Sequence, residues 1–176
     1  MLDSETDSQP QVVSTPMRLT GTVLALAGAL TLLGPMPSAS ADAASPFDVS
    51  DPAVGRLDPA LLAAVQHATT AAAAEGIPMT ITSGWRSPEF QQQLLDDAIQ
   101  TYGSYNAARQ YVQTPQQSKH VSGQAVDIGG QSADKWLIAN GGRFGLCQIY
   151  ANELWHFELA TDAHGDCPPL LPNAAS

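Results

Sequence analysis

Basic residues are scarce in this sequence, and several familiar catalytic motifs are missing from it. Seven of the 176 residues are Lys or Arg against 17 Asp or Glu, so the formal net charge is −10. Nucleic acids and anionic lipids are both bound by clustered Lys and Arg, and the charge balance therefore argues against either as a partner. The helical zinc-protease motif HExxH, the nucleophile motif GxSxG and internal repeats are also absent.

A long apolar run is missing as well. The uncharged stretch over residues 19–33 is shorter than the roughly 20 residues that span a bilayer. A basic residue precedes it and the small residues 39–41 follow, which is the order of a cleaved secretory signal peptide. We therefore expect residues 1–41 to be a leader, and the mature protein to be secreted without stable membrane insertion. Two alternatives stay open: translation starting at Met17, and an uncleaved anchor with an acidic cytoplasmic tail.

The rest of the chain has room for one domain. Residues 42–56 are interpreted as an extended linker, residues 57–167 as the folded domain, and residues 168–176 as a frayed tail. Asp58 and Ser87 are each followed by Pro and open helical spacing, as helix N-caps do. Helices come mainly before strands, which predicts an α+β fold with a small antiparallel sheet packed against helices.

The predicted elements are specific enough to test. The second long helix is expected to bury Phe90, Leu94 and Ala98, which keep helical spacing. A further helix is expected over residues 104–112. Strands are expected at residues 125–128, 144–150 and 155–159.

Cysteine is rare, with only Cys147 and Cys167 in the chain. In an exported protein an even pair is most simply a disulfide, which here would tie the end of the chain back to the segment around Cys147. A pair of metal ligands is the alternative, but no CxxC spacing supports it.

Two short segments carry most of the functional information. Residues 118–127 fit SxHxxGxAxD and residues 153–156 fit ExxH. Together they offer two imidazoles, one carboxylate ligand and a second carboxylate free to move protons. A catalytic zinc ion needs such a set: three protein ligands, one position left for water, and a base beside it. The competing interpretation is a structural loop imidazole, a turn carboxylate and an exposed hairpin.

The neighbours of the ExxH segment favour the metal site over that alternative. Trp155 and Phe157 flank one of the histidines, and the two aromatic side chains are expected to bury the segment. Burial raises the proton affinity of a carboxylate, which suits Glu153 for general acid–base chemistry.

These residues resemble the zinc D-alanyl-D-alanine carboxypeptidases and dipeptidases of the VanY type, which share a fold with the hedgehog signalling domain. The resemblance spans residues 57–159 and rests on the complete SxHxxGxAxD, the later ExxH, and Ser-Gly-Trp-Arg-Ser at residues 83–87. It implies three zinc ligands, namely His120, Asp127 and His156. It also makes Glu153 the catalytic base and Arg86 the group that polarises the scissile carbonyl. Two further residues are implied to face the substrate: Ser118 and Gln91.

Two features depart from the general pattern of that family. Leu154 stands where many members have Pro, and the cysteine pair is not part of the pattern. The implied activity is hydrolysis of the terminal D-alanyl-D-alanine bond of peptidoglycan stem peptides by a secreted monomer that binds one Zn²⁺. The alternatives are an endopeptidase that cuts between L-alanine and D-glutamate, and a non-catalytic wall-binding module on the same fold.

Overall fold

The computed structural model describes residues 43–176. The predicted signal peptide and the choice between start sites therefore lie outside the described residues. Among the helices that the structure describes, none combines the length and the apolar composition needed to cross a membrane.

The fold combines helices with one four-stranded sheet. In residues 43–176 the helices are α1 (Pro52–Gly55), α2 (Pro59–Ala74), α3 (Pro88–Tyr102), α4 (Tyr105–Ala108) and α5 (Gln131–Asn140). The strands are β1 (Thr80–Ser83), β2 (Ala125–Gly129), β3 (Leu146–Gln148) and β4 (His156–Leu159). Every strand pair is antiparallel and the order across the sheet is β1-β2-β4-β3. The predicted α+β class with a small antiparallel sheet is confirmed.

Both long helices begin where their capping residues predict. The side chain of Asp58 accepts hydrogen bonds from the backbone at the start of α2, and that of Ser87 accepts one from Phe90 N at the start of α3. Each cap satisfies backbone donors that have no partner within the helix. At its other end α3 stops at Gly103, whose φ of 77° is the left-handed conformation that glycine tolerates best.

The core lies on one face of the sheet. Apolar side chains of α2 and α5 pack there against Val126, Ile128 and Phe157, which are at most 2% exposed. Because successive strand residues point to opposite faces, the alternate residues Asp127 and His156 project from the other face. The core thus fixes which face of the sheet can carry polar chemistry.

The predicted buried face of α3 is right for Ala98 and is shifted by one position at Phe90 and Leu94. Phe90 is 49% exposed, whereas Gln91, Leu95 and Ala98 are the buried residues of this helix. The spacing of 91, 95 and 98 is as helical as that of 90, 94 and 98, so periodicity could not separate them. The helix turns toward Gln91 because that amide is hydrogen bonded inside the domain.

Residues 42–56, predicted to be an extended linker, include a folded part of the domain. Ala44 pairs through its backbone with Ile81 on the edge of the sheet, and Val54 in α1 is fully buried. Gly123, at a φ of 73°, packs so closely on Arg56 that a side chain would overlap the Arg56 carbonyl. The segment is held because Val54 completes the core and because the carbonyls of Val49, Ala53 and Arg56 pack closely against glycines.

Several other predicted elements differ in length. The helix predicted over residues 104–112 is only the single turn α4, and the strand predicted over residues 144–150 is shortened to β3 because Gly141–Phe144 forms a 3₁₀ turn. The predicted disulfide between Cys147 and Cys167 is present in the structure.

The tail predicted to be frayed over residues 168–176 is also packed. Leu171 N donates to the carbonyl of Ile149, Ala151 N donates to the carbonyl of Leu171, and Ala174 is buried. The disulfide holds the start of the tail on β3, so little chain is left free to fray.

Candidate metal centre

Two of the predicted ligands face each other across neighbouring strands. Asp127 lies in the middle of β2 and pairs with His156, the first residue of β4, in the antiparallel register. Both side chains leave the face opposite to the core. The register thus joins a carboxylate and an imidazole that are 29 residues apart in the chain.

The third predicted ligand comes from the loop before β2. Nδ1 of His120 lies 2.8 Å from the carbonyl oxygen of Gly84, and the backbone N–H of Arg86 donates to the His120 carbonyl. Glycine is required at position 84, because a Cβ there would overlap the carbonyl oxygen of Ala53. This close packing turns the other ring nitrogen of His120, Nε2, toward the pair on the strands.

The three atoms that could donate a lone pair to a metal ion, called the donor atoms below, form a nearly regular triangle. His120 Nε2, His156 Nδ1 and Asp127 Oδ1 are each 3.3 Å from the other two. In a tetrahedral zinc site with bonds of about 2.0–2.1 Å, neighbouring ligand atoms lie about 3.3 Å apart. Within the described residues this is the one group of His, Cys, Asp or Glu side chains with metal-binding spacing.

The hydrogen bonds of the two rings decide what their inner nitrogens can do. A carbonyl can only accept, so His120 Nδ1 carries its hydrogen toward Gly84. His156 Nε2 lies 3.0 Å from Glu158 Oε1 and carries its hydrogen toward that carboxylate. In the neutral rings, His120 Nε2 and His156 Nδ1 therefore carry no hydrogen. Their lone pairs face each other and the oxygen of Asp127. Three acceptors directed at one point are stabilised by positive charge, either a proton or a metal ion.

The pKa values of the three groups also indicate that positive charge stabilises this site. Burial opposes ionisation of Asp127, but the charges and hydrogen bonds of His120, His156 and Arg86 hold its pKa well below the ordinary value. Burial lowers the pKa of His120. Burial also favours the neutral form of His156, yet hydrogen bonds to Asp127 and Glu158 raise its pKa to about 9. Without metal a proton on His156 takes the place of the cation, and a metal ion must displace that proton.

Arg86 is fixed on the outer side of Asp127. Its Nη2 donates to Asp127 Oδ2 at 2.8 Å, its Nε donates to Ser83 Oγ at 2.8 Å, and its Nη1 donates to Gln91 Oε1 at 3.2 Å. Gln91 is 1% exposed and its own Nε2 donates to the carbonyl of Gln113. The amide of Gln91 is thus occupied in holding Arg86, which leaves little of it for the predicted substrate contact.

Glu153 lies beside the triangle of donor atoms. It is 7% exposed, its Oε2 is 3.9 Å from His156 Nδ1, and its buried Oε1 has no hydrogen-bond partner among the described residues. Burial is the main cause that raises its pKa to about 7. The expectation that both flanking aromatics bury the segment is half right, since Phe157 is fully buried and Trp155 is 44% exposed.

Two residues near the site were missed by the sequence analysis. Glu158 follows His156 by two positions on β4, so the strand period of two places both side chains on one face and could have revealed it. Tyr150 packs its ring 5.0 Å from that of His156. It carries no recognisable signal in the sequence, because the contact depends on a turn between β3 and β4.

A cavity of about 200 Å³ opens over the donor atoms. Ser118 lines it as predicted, is 7% exposed, and leaves its hydroxyl without a side-chain hydrogen bond to the described residues. Arg86, Lys119, Glu153 and Ala174 also line the cavity. The predicted site residues are therefore brought together, whereas His67 and His164 lie exposed elsewhere on the chain.

Known proteins are similar to this chain in sequence and in structure. A sequence model described as VanY, D-alanyl-D-alanine carboxypeptidase, matches residues 55–161. A D-alanyl-D-alanine carboxypeptidase of Enterococcus faecalis (strain ATCC 700802 / V583) is 30% identical over 127 residues, which covers 58% of this chain and 47% of the relative. The chain thus spans about half the length of that curated relative.

Two solved structures share the fold. A mutant of the vancomycin-resistance D,D-pentapeptidase VanY in complex with Zn(II) aligns with a TM-score of 0.55 and 29% identity, over 58% of this chain and 71% of that chain. VanYB in complex with D-alanine-D-alanine aligns with a TM-score of 0.55 and 27% identity, over 58% of this chain and 70% of that chain.

Proposed function

The chain belongs to the VanY family of D-alanyl-D-alanine carboxypeptidases, and on this basis we propose that it is a zinc metallopeptidase that releases the terminal D-alanine from peptidoglycan stem peptides. The observation that carries the proposal is the convergence of two imidazole nitrogens and one carboxylate oxygen, each 3.3 Å from the others. Neighbouring ligand atoms of a tetrahedral zinc site have this spacing.

The donor set fits zinc better than calcium or magnesium. Two imidazole nitrogens with one carboxylate oxygen are a zinc-type set, whereas calcium and magnesium prefer oxygen ligands alone. His120, Asp127 and His156 would hold the ion, which supplies Lewis acidity and makes water more acidic when bound. The partners Gly84 and Glu158 fix the ring orientations before any metal arrives.

Glu153 is the proposed general base and acid. A carboxyl group with a pKa of about 7 is divided between its two forms at neutral pH, so it can take a proton and return one. In the forward reaction it accepts a proton from the attacking water. It then delivers that proton to the amine of the leaving D-alanine, so no covalent enzyme intermediate is needed.

Arg86 and Ser118 are the proposed contacts to the substrate. Three of the five guanidinium N–H groups of Arg86 are used by described residues, which leaves two to stabilise charge on the scissile carbonyl oxygen. The hydroxyl of Ser118 faces the same cavity and can bond a peptide group. Gln91 acts from behind by holding Arg86.

The proposed substrate class rests on the relatives and on the cavity. A solved relative, VanYB, is in complex with D-alanine-D-alanine, and a cavity of about 200 Å³ suits small residues. Export of the protein by the predicted signal peptide would bring it to the cell wall, where stem peptides are found. Sequencing the amino terminus of the secreted protein checks this, with a start just after Ala41 expected and an intact leader contradicting it.

Mass spectrometry of products decides between the candidate activities. The purified zinc-loaded protein is incubated with a synthetic stem pentapeptide that ends in D-alanyl-D-alanine. Release of free D-alanine is the expected result. A product that ends in L-alanine would indicate endopeptidase action instead, and stoichiometric zinc without hydrolysis of any stem peptide would indicate a wall-binding module.

A further inference from the structure

The wall of the cavity includes a residue from outside the part of the chain that matches the family. The match ends at residue 161, yet Ala174 lines the cavity over the donor atoms and is only 5% exposed. The tail, which from here on means residues 162–176, therefore contributes a residue to the cavity wall.

The tail is held in place at three points. The disulfide of Cys147 and Cys167 fixes its first part to β3. Backbone hydrogen bonds join Leu171 to the segment after β3, and Ala174 N donates to the carbonyl of Gln110 at 3.3 Å. Ala174 is therefore a fixed part of the wall.

A chain of hydrogen bonds leads from the tail to the polar site. The carbonyl of Ala174 accepts from Gln113 Nε2 at 2.9 Å, and the carbonyl of Gln113 accepts from Gln91 Nε2 at 2.9 Å. Gln91 in turn accepts from Arg86, which donates to Asp127. The same Gln113 Nε2 lies 3.1 Å from Tyr150 Oη. The tail thus contacts the network that holds Arg86 as well as the open cavity.

The cavity also indicates where the end of a bound peptide would lie. Arg86 lines it and keeps two guanidinium N–H groups that described residues do not use. These N–H groups are the proposed contact to the scissile carbonyl, so the bond that is cut would lie beside Arg86. The terminal residue follows that carbonyl directly and would then lie in the same cavity, whose wall includes Ala174.

We propose that Ala174 is a specificity-determining residue, and that its methyl group limits the terminal side chain of the substrate to the size of alanine. The proposal rests on the proposed function, since it names what that site accepts. A closely packed wall resists even one added methylene, because neighbouring groups can move only slightly. Discrimination by one methylene in such a pocket is about 10- to 200-fold.

The test compares two pentapeptides that differ by one methylene, ending in D-alanine or in D-2-aminobutyrate. In the wild-type protein kcat/KM should favour D-alanine at least about tenfold. Ala174→Gly should reduce this preference to about threefold or less, and Ala174→Leu should lower kcat/KM for both peptides with unchanged zinc content. Leu170→Ala is the matched control, because this tail residue is 50% exposed and does not line the cavity; it should leave the preference unchanged.

Binding gives a second measurement that needs no turnover. Calorimetry of the same two peptides with the Glu153→Ala variant, with and without Ala174→Gly, should show the same loss of preference. A preference that Ala174→Gly changes in neither kinetics nor binding overturns the role of Ala174. In a third outcome, the wild-type protein hydrolyses neither peptide while Ala174→Gly still removes the binding preference. That result would support the role of Ala174 in the cavity wall and overturn the proposed catalytic function.

Discussion

The donor triangle and the tail that closes the cavity are held in different ways. Asp127 and His156 stand on paired strands over a dry core, and each is fixed by several side-chain hydrogen bonds. Ala174 stands on irregular chain that is held by three backbone–backbone hydrogen bonds, one side-chain hydrogen bond and one disulfide. Rigid strands suit chemistry that needs positions correct to fractions of an ångström, whereas a separate segment can change selectivity without disturbing the ligands.

The largest effect is expected from Glu153→Ala, which removes the proposed base and leaves the three ligands. General acid–base catalysis contributes about 100- to 10,000-fold, so kcat should fall by about that factor. Stopped assays of D-alanine release measure kcat, and plasma emission spectrometry should still find one zinc per chain. The exposed Glu89→Ala is the control. Turnover near the wild-type value in Glu153→Ala would assign the base elsewhere.

Arg86→Lys should be nearly as damaging, because a lysine cannot reproduce the planar fork that reaches Ser83, Gln91 and Asp127 together. Loss of one stabilising donor costs about 100- to 1,000-fold in rate. We expect kcat/KM for the pentapeptide to fall by about 100-fold, with the exposed Arg143→Lys unchanged. Equal activity of Arg86→Lys and Arg143→Lys would show that the guanidinium group of Arg86 makes no specific contribution to the reaction.

Glu158→Gln tests how the rings are oriented. The carboxylate that accepts from His156 raises the basicity of this ring and fixes which nitrogen faces the metal. Loss of such a partner weakens metal affinity by about 10- to 100-fold, which competition with a chelator measures. Glu89→Gln should match the wild type. Unchanged affinity in Glu158→Gln would mean that the strand alone orients His156.

The smallest effect on the chemistry is expected from opening the disulfide with the paired change Cys147→Ala and Cys167→Ala. The closed loop has a sequence separation of 20, for which cross-link loss costs about 3 kcal/mol of unfolding free energy. Urea unfolding measures that loss. Zinc content should stay at one per chain, while the preference for terminal D-alanine weakens. A loss of zinc instead would show that ligands and tail form one unit.

The contrast between the ligands on the strands and the irregular tail explains which features the sequence could predict. Spaced motifs report which side chains share a strand face or a loop, so the sequence could predict that His120, Asp127, Glu153 and His156 lie together. Glu158 could have been predicted in the same way, because it lies two positions after His156 on one strand. The α+β class followed from the order of helices and strands.

The rest depends on contacts that leave no periodic signal. Gln113 and Ala174 meet across 61 residues, and neither belongs to an apolar pattern. Phe90 is more hydrophobic than Gln91 and keeps the same helical spacing, so the sequence favours Phe90 as a core residue. Burial of the Gln91 amide is favourable because Arg86 donates a hydrogen bond to it. The linker and tail were interpreted as loose because short segments of mixed composition are stabilised only by the surface on which they pack.

The most direct test is zinc X-ray absorption spectroscopy of the purified protein together with its metal content, compared with the His120→Ala variant. One zinc per chain is expected, with two imidazole nitrogens and oxygen ligands at about 2.0–2.1 Å, and the variant should lose most of its zinc. A wild-type protein that binds no stoichiometric zinc, or a variant with unchanged zinc content and spectrum, would contradict the shared metal site.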